Sequence, residues 1–378
     1  MSGASIGLVG AYGSVGRQVA LLLAGSGRLR LGGRDRQQAE QLNRQLGGQA
    51  EVRPLDLWDE HSLAAFCAGC TLVINCAGPS YRILDRVARA ALAAGADYLD
   101  VGGDDPLHER LRGQLSHARR AVLSAGMLPG LSGLFAQLPA RAFQRIDAMR
   151  CYAGGLGRLS GTAAEDFLLS LGNGFGQAQM AWSAGQVLRS GAPAEQLLER
   201  EWLPVAGVQA YPYLTCEQQR LFADLQVGHG QGFNLFEGGQ LAGALRRIQG
   251  SAPESRHSAQ NVAALVQASA LDVAGRQPYQ VLAVEIEGLR DGRQQQASAW
   301  LRASDGSRLT GSVAAFCALH WERLPLGLHY AAQVLDAGAC LEQIRHWLPD
   351  TRCSLPGEHL RTGSAGHCIS LETEEGVL

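Results

Sequence analysis

Three glycines near the amino terminus are spaced as a chain requires when it turns tightly and opens a helix. Gly10, Gly13 and Gly16 form a G-x-x-G-x-x-G pattern between the apolar run Ser5–Val9 and the helical pattern Arg17–Ala24. In this context the glycines permit a tight turn, close approach of a pyrophosphate and packing of helix on strand. The helix N-terminus then donates N–H groups to the phosphates. We therefore predict a dinucleotide site whose contacts in this segment are Gly10, Tyr12, Gly13, Ser14, Val15 and Gly16.

The end of the second predicted strand, Leu29–Leu31, carries the residues that distinguish NAD from NADP. Enzymes that use NAD place an acidic residue there to bind the ribose 2′-hydroxyl. Here Arg34 and Arg36 follow the strand, and a guanidinium can bind a 2′-phosphate through two hydrogen bonds. Asp35 lies between them and can in principle take the acidic role. The arginines favour NADP(H), with NAD as the alternative.

Three further strand ends are expected to border the same dinucleotide, because ligands of such sheets bind at the carboxyl ends of the strands. Asp56 ends the third strand, where an adenine commonly lies, although a turn or helix cap would also explain it. Small residues after the fourth strand would let the nicotinamide ribose come close, and a methionine after the sixth can line the nicotinamide. The contacts predicted at these two ends are Asn75, Ala77, Gly78, Pro79 and Met127.

The elements that must position these residues alternate between strand and helix through the first third of the chain. This alternation predicts an α/β fold with a Rossmann doubly wound parallel sheet over residues 1–130. The later strands of this sheet are predicted at Val52–Leu57, Thr71–Cys76, Asp97–Val101 and Ala121–Ser124.

After about Ile146 the pattern changes to that of a second, α+β domain with an antiparallel or mixed sheet. Strands are predicted at Gln280–Gly288, Gln295–Ala303 and Arg308–Ala315, joined by Asp-Gly turn signals. Helices are predicted at Ala178–Leu188, Glu195–Glu199 and Leu328–Leu348. We expect a substrate and dimerisation domain over 131–320, closing helices over 321–350 that return to the Rossmann domain, and a tail over 351–378.

The composition excludes several kinds of chemistry. All 33 basic residues are arginine, so a Schiff-base lysine, a P-loop lysine and a Tyr-x-x-x-Lys catalytic pair are ruled out. A net charge of −2 argues against nucleic-acid binding. No apolar run is long enough to span a membrane and no signal peptide is recognisable, so a cytoplasmic location is expected. The nine cysteines are expected to be reduced thiols, and no metal site is predicted.

Five segments in order resemble the saccharopine dehydrogenase-like reductases: GAYGSVGR, LGGR, VINCAGP, ADYLDVGGD and AGMLPGLSG. The resemblance covers the cofactor domain well, is diffuse in the middle domain, and returns in Ala314–Leu348, which is similar to the closing helices of that family. It implies NADP(H), hydride transfer to or from a C=N or C=C bond, and a substrate bound between the two domains. It also implies a homodimer formed through the sheet of the middle domain.

The chain departs from the best-known members of this family. It lacks the lysine-centred catalytic pair of the lysine-forming saccharopine dehydrogenases, and the glutamate-forming saccharopine reductases are longer. Among shorter members it is similar to the stand-alone thiazolinyl imine reductases of enantio-pyochelin siderophore biosynthesis. That resemblance implies reduction of a thiazoline to a thiazolidine on a thioester, with a peptidyl carrier protein as partner.

Reduction of a C=N bond needs hydride at carbon and a proton at nitrogen, from a donor within hydrogen-bond reach or one water away. The catalytic candidates on the Rossmann domain are Tyr81, Asp104 and His108, which follow the fourth and fifth strands. Tyr152 and His229 are the candidates from the second domain. Packing would equally explain the tyrosines and histidines, and a helix cap would explain Asp104. Water is an alternative donor.

Two other functions are compatible with the sequence. The first is a trans-acting enoyl reductase, which would use NADPH to reduce a C=C bond on a thioester. The second is a protein that binds NADP(H) without turnover, because a Rossmann fold alone does not establish catalysis.

Overall fold

The first part of the chain folds into alternating strands and helices, as seen in a computed structural model that describes residues 5–116, 118–172 and 174–356. The strands are β1 (Ser5–Val9), β2 (Arg28–Gly33), β3 (Glu51–Pro54), β4 (Leu72–Asn75), β5 (Asp97–Asp100) and β6 (Arg120–Leu123). The helices are α1 (Ser14–Leu22), α2 (Arg36–Gln45), α3 (Glu60–Cys67), α4 (Ser80–Ile83), α5 (Arg86–Ala93), α6 (Asp105–Leu111) and α7 (Leu131–Ala140). Strands such as β4 are buried along their whole length because helices cover both faces of the sheet.

The second part contains longer strands and then returns to the first sheet. Its strands are β7 (Arg145–Leu156), β8 (Gly176–Ala178), β9 (Met180–Ser183), β10 (Gln186–Arg189), β11 (Gln196–Leu198), β12 (Val208–Thr215), β13 (His229–Glu237), β14 (Tyr279–Arg290) and β15 (Arg293–Ala303). Its helices are α8 (Gly161–Ser170), α9 (Cys216–Asp224), α10 (Gln240–Gln249), α11 (Ala259–Val273) and α12 (Gly306–Leu319). The closing elements are β16 (Gly327–Tyr330), α13 (Ala331–Val334), α14 (Ala337–Trp347) and β17 (Arg352–Ser354). Short 3₁₀ turns lie at Pro253–Ser255 and Trp321–Arg323.

Two sheets result, and their strand orders confirm the predicted fold class. The first is parallel, with the order β16-β6-β5-β4-β1-β2-β3. The order reverses between β1 and β4, and that point opens a crevice at the carboxyl ends of the strands. The second sheet runs β10-β9-β13-β7-β14-β15-β17, and β12 also pairs with β13 and carries β8 and β11 as its own partners. It is mixed, because β13 is parallel to β7 and antiparallel to β12.

Three predicted elements of the second part were wrong, and a fourth, Leu328–Leu348, was right only from Ala331 onward, where α13 and α14 form. The helices predicted at Ala178–Leu188 and Glu195–Glu199 are the short strands β8 to β11, which pair with β12, β13 and each other. The strand predicted at Arg308–Ala315 is helix α12, because Asp305 caps a helix instead of opening a hairpin turn. The helix predicted at Leu328–Leu348 begins as strand β16, which pairs with β6 at the sheet edge.

Helix α7 lies between the two sheets and connects their cores. Its buried residues, among them Leu131, Leu134 and Phe135, belong to one apolar cluster with Leu8 of β1 and Leu282 of β14. Helix α12 packs on α1, where a Cβ on Gly311 would lie 3.0 Å from the Val15 carbonyl oxygen. The two sheets therefore share one apolar core through α7. Among the described residues no helix is long and apolar enough to cross a membrane, and the cytoplasmic location stays a prediction.

Candidate functional site

The glycine turn leaves the N-terminus of α1 open. Gly10 has φ +73°, and a Cβ there would lie 2.9 Å from the Ala77 backbone nitrogen. A Cβ on Gly16 would collide with the Gly10 carbonyl, whereas one on Gly13 would meet only that carbonyl oxygen, at 3.3 Å. No side chain caps α1, which begins with Ser14 and Val15. The N–H groups of its first turn are therefore available to a ligand. The turn therefore fits a pyrophosphate.

Of the three charged residues after β2, Asp35 and Arg36 have partners within the chain, and Arg34 is available to a ligand. The Asp35 carboxylate caps α2 by accepting hydrogen bonds from the Gln38 backbone N–H at 3.1 Å and side-chain amide at 3.0 Å. The hydrogen bonds from Gln38 lower the pKa of Asp35. Arg36 pairs with Glu40 at 2.7 Å. Within the described part of the chain, Arg34 is exposed and forms no ion pair.

Tyr12 closes one side of the space around Arg34. Its hydroxyl accepts a hydrogen bond from the Asp35 backbone N–H at 2.8 Å, and its ring lies where a Cβ on Gly33 would be. An open cavity of about 720 Å³ is lined by Tyr12, Arg34, Asp35, Arg36, Gln37 and Gln38. A ribose with a 2′-phosphate would fit this cavity, because its wall offers an unpaired guanidinium.

A buried network shapes the loop after β4. Asn75, which is 1% exposed, donates to Asp100 at 3.0 Å and accepts from the Ala77 N–H at 3.2 Å. Asp100 also accepts from the Tyr98 hydroxyl and from the Gly102 N–H, and burial raises its pKa. Asn75 therefore acts by holding the backbone of the loop that continues through Gly78 and Pro79. The structural role of Asp100 and Tyr98 was not predicted from the sequence.

The other two predicted strand ends differ in exposure. Met127 is 7% exposed, and its N–H donates to the Thr310 hydroxyl at 3.1 Å, so α12 fixes the loop after β6. Asp56 is exposed and accepts from the Trp58 N–H at 2.9 Å. Asp56 thus forms a turn, and its contact with an adenine stays a prediction.

A charged cluster lies at the carboxyl end of β5, where residues of α9 and of the edge strand β16 come together. Asp104 is 4% exposed and pairs with Arg220 of α9 at 2.6 Å. Arg220 also pairs with Asp105 and lies over the Tyr330 ring, 3.7 Å from its centre. The Tyr330 hydroxyl donates to Asp105 at 2.6 Å. Burial, opposed by Arg220, raises the pKa of Asp104 to about 6.

Three buried oxygens around this cluster have no hydrogen-bond partner among the described residues. They are Asp104 Oδ2 and the hydroxyls of Tyr81 and Tyr213. Burial is the main cause that raises the pKa of Tyr81, and the charges of Asp104 and Asp166 add to it. Asp166 accepts from the Tyr81 N–H at 3.2 Å, and burial raises its pKa to about 6. Unpaired buried polar groups are costly, so this group of oxygens is suited to a polar ligand or water.

Glu217 of α9 is a further buried carboxylate beside the loop after β6. It is 5% exposed and accepts from the Gly130 N–H at 2.6 Å and from the Ser132 hydroxyl. Burial raises its pKa to about 7, and the charge of Asp104 adds to that effect. Helix α9 begins with a capping box formed by Thr215 and Gln218.

The structure brings three of the five catalytic candidates to this region. Tyr81 and Asp104 belong to it directly, and the His108 ring stacks on Tyr330 with 4.8 Å between centres. Burial lowers the pKa of His108. Among the described residues no group of three or more His, Cys, Asp or Glu side chains could hold a metal ion.

Tyr152 and His229 lie elsewhere. Tyr152 donates to Glu285 at 3.0 Å and packs against Trp202 and Phe233 on the face of the second sheet away from α7. Its neighbours Cys151 and Ala153 face α7 instead, because side chains alternate along a strand. His229 is exposed at the start of β13, where its Nδ1 lies 3.1 Å from the Ser183 hydroxyl.

Sequence reasoning missed four residues of the site: Tyr213, Glu217, Arg220 and Tyr330. The pattern Thr215-x-x-Gln218 does signal a helix start, but it does not show that the helix meets the parallel sheet. Tyr330 fell in a segment that was predicted to be helical and ends strand β16 instead.

Comparison with known proteins agrees with this geometry. Residues 6–125 match the family model described as the saccharopine dehydrogenase NADP binding domain. Over 93% of this chain and 100% of that one, the fold is similar to apo saccharopine dehydrogenase (L-Glu forming) from Saccharomyces cerevisiae, with a TM-score of 0.66 and 14% identity. No curated protein sequence matches the chain.

Two other solved structures are more distant. The DAP dehydrogenase of C. glutamicum in complex with DAP has a TM-score of 0.46 and 16% identity over 90% of this chain and 96% of that one. GenD2 from gentamicin A biosynthesis, in complex with NAD, has a TM-score of 0.42 and 14% identity over 91% of this chain and 93% of that one.

The family match supports the predicted nicotinamide cofactor. Residues 6–125 thus match the NADP binding domain of saccharopine dehydrogenases, and the whole chain has a fold similar to that of saccharopine dehydrogenase.

Proposed function

We propose that this protein is an NADPH-dependent reductase of a C=N bond in which Asp104 protonates the nitrogen. The observation that carries the proposal is the state of the Asp104 carboxyl group. One of its oxygens is held by Arg220, and the other is buried without a partner among the described residues. A pKa of about 6 leaves part of this group protonated near neutral pH, as a general acid requires.

The charges around Asp104 favour C=N reduction over C=C reduction. Protonation of an imine produces a cation, which buried carboxylates such as Asp104 and Asp166 would stabilise. Reduction of an enoyl thioester produces an enolate, an anion that these carboxylates would destabilise. The nearby guanidinium groups are already paired, Arg220 with Asp104 and Asp105, and Arg82 with Glu165 at 2.5 Å.

Each residue of the site has its own role in the proposed reaction. Bound NADPH would supply the hydride that reaches the carbon. Asp104 transfers the proton on Oδ2 to the nitrogen, and the resulting carboxylate is reprotonated from solvent. Arg220 fixes the orientation of the carboxyl group through the other oxygen. Tyr81 keeps its proton, because its pKa is raised, and donates a hydrogen bond to the substrate.

Arg34 supports the choice of NADPH over NADH. Asp35, the alternative acidic residue, is occupied in capping α2, and Arg36 is paired with Glu40. Calorimetric titration with NADPH and NADH tests this part of the proposal, and a preference for NADH would contradict it.

We propose that the substrate is a thiazoline held as a thioester on a peptidyl carrier protein and reduced to a thiazolidine for siderophore biosynthesis. The resemblance of the sequence to the stand-alone thiazolinyl imine reductases supports this choice. We also propose a homodimer formed through the second sheet, which light scattering can test.

The decisive assay compares a carrier-bound thiazoline with a carrier-bound enoyl thioester and follows the loss of NADPH absorbance. We expect oxidation of NADPH with the thiazoline only, and its loss in Asp104→Asn. Turnover with the enoyl thioester alone would establish the other reaction. Tight NADPH binding without oxidation by either would instead indicate a protein that binds the cofactor without catalysis.

A further inference from the structure

Helix α9 contacts two different strand-end loops of the dinucleotide-binding domain with side chains one helical turn apart. Arg220 pairs with Asp104 and Asp105 in the loop after β5. Glu217, three residues earlier, accepts hydrogen bonds from Gly130 and Ser132 after β6. Residues three apart lie on the same helix face, so one face of α9 holds both loops.

The Glu217 carboxylate occupies the N-terminus of α7, which has no cap of its own. Gly130 is the N-cap residue of α7 and has no side chain to accept hydrogen bonds. Glu217 supplies that acceptor from another helix, and a Cβ on Gly133 would lie 3.0 Å from its Oε1. The partial positive charge at the N-terminus of a helix attracts an oxygen acceptor of this kind.

The loop that Glu217 holds is the one expected beside the nicotinamide. It runs from the end of β6 through Met127 to Gly130, at the carboxyl edge of the parallel sheet, where cofactors of this fold bind. The adenosine end is expected at Arg34 and Tyr12, beyond β2. A change at Glu217 should therefore disturb one half of the dinucleotide site.

We propose that Glu217 is a positioning residue, which fixes the loop after β6 against the nicotinamide while Arg220 of the same helix fixes the proton donor Asp104. The proposal rests on the proposed function, since it assumes that the cofactor is NADPH. It predicts that Glu217 contributes to binding of the nicotinamide half of NADPH and not to binding of the adenosine half.

The test compares the affinity of two ligands for the full chain by calorimetry: NADPH, and adenosine 2′,5′-bisphosphate, which lacks the nicotinamide. In Glu217→Ala we expect NADPH to bind about tenfold more weakly, because two buried hydrogen bonds are lost. The bisphosphate should bind as it does to the unchanged protein. Glu217→Gln should restore most of the NADPH affinity, since an amide can accept from Gly130 and donate to the Ser132 oxygen.

Two further variants keep the test informative. Ser132→Ala removes one of the two hydrogen bonds and should give a smaller loss that is again confined to NADPH, even if Glu217→Ala does not fold. Glu287→Ala removes a carboxylate that pairs with Arg150 in the second sheet and should change neither affinity.

The outcomes separate the two proposals. Equal losses for both ligands in Glu217→Ala and Ser132→Ala, or no loss for either, would overturn the positioning role while leaving NADPH as the cofactor. If the unchanged protein binds neither the bisphosphate nor NADPH, the proposed function itself fails.

Discussion

Adjacent charged residues of this protein have different tasks because they have different partners. Asp35 is committed to the backbone of α2, and Arg36 is committed to Glu40 on the next turn. Arg34 has no such partner among the described residues and lines the open cavity beside Tyr12. The absence of a partner for Arg34 within the described chain therefore indicates the binding residue better than the residue type alone does.

Replacement of Arg34 tests this assignment. We expect Arg34→Ala to weaken NADPH binding by about 10- to 100-fold, because hydrogen bonds to a charged group contribute about 1.5–3 kcal/mol. NADH binding should be almost unchanged, since NADH lacks the 2′-phosphate. Arg36→Ala is the matched control and should have a smaller effect. Calorimetry measures all affinities, and an equal loss for NADPH and NADH would contradict the assignment.

The raised pKa of Asp104 predicts the pH dependence of the reaction. The proton-bearing form is present below the pKa, so kcat/KM with the thiazoline thioester should fall as the pH rises through about 6. Arg220→Gln should move this limb to higher pH, because the cation that lowers the pKa is lost. A pH–rate profile measures both effects. A limb that persists unchanged in Asp104→Asn would show that another group donates the proton.

Two elements from the end of the chain, helix α12 and strand β16, position residues of the candidate site. Helix α12 packs on α1 and holds the Met127 backbone through Thr310. Strand β16 extends the parallel sheet beyond β6 and thereby carries Tyr330 to Asp105. Both elements come from the last fifth of the described chain, yet each supports a loop of the first domain.

The cap of α12 should be measurable as stability. Asp305 accepts hydrogen bonds from the Ser307 and Arg308 backbone N–H groups, and loss of such a cap typically costs about 1 kcal/mol. Asp305→Ala should therefore lower the midpoint of thermal unfolding. Glu254→Ala, at an exposed position, is the control and should have little effect. An unchanged midpoint in Asp305→Ala would mean that the cap contributes no stability.

For the whole molecule, the buried carboxylates couple folding to pH. Glu217 has a pKa of about 7 in the folded state, above its ordinary value of 4.5. The folded protein therefore binds more protons than the unfolded chain between these values, and its stability falls as the pH rises from about 4.5 to 7. Asp104 and Asp166, whose pKa values are also raised, act in the same direction.

Chemical unfolding of the unchanged protein and of Glu217→Gln, at pH 5 and pH 8, tests this coupling. Relative to the unchanged protein, Glu217→Gln should be more stable at pH 8 than at pH 5 by about 2–3 kcal/mol, because each pKa unit corresponds to about 1.4 kcal/mol and part of the shift already acts at pH 5. If the difference in stability between the two proteins is the same at both pH values, the buried charge of Glu217 does not limit stability.

What the sequence determined by itself is local. The glycine spacing, the apolar runs of the first six strands and Arg34 all act within about 30 residues of chain, so their patterns predicted the Rossmann domain and its cofactor turn. Only the tertiary structure decided which distant residues complete the site. Arg220 reaches Asp104, Glu217 reaches Gly130 and Tyr330 reaches Asp105, because α9 lies against the strand-end loops of the parallel sheet and β16 extends that sheet. Tyr152 lies outside the site because alternation along a strand does not determine which of its two faces packs toward the parallel sheet. That face depends on contacts with residues distant in the sequence.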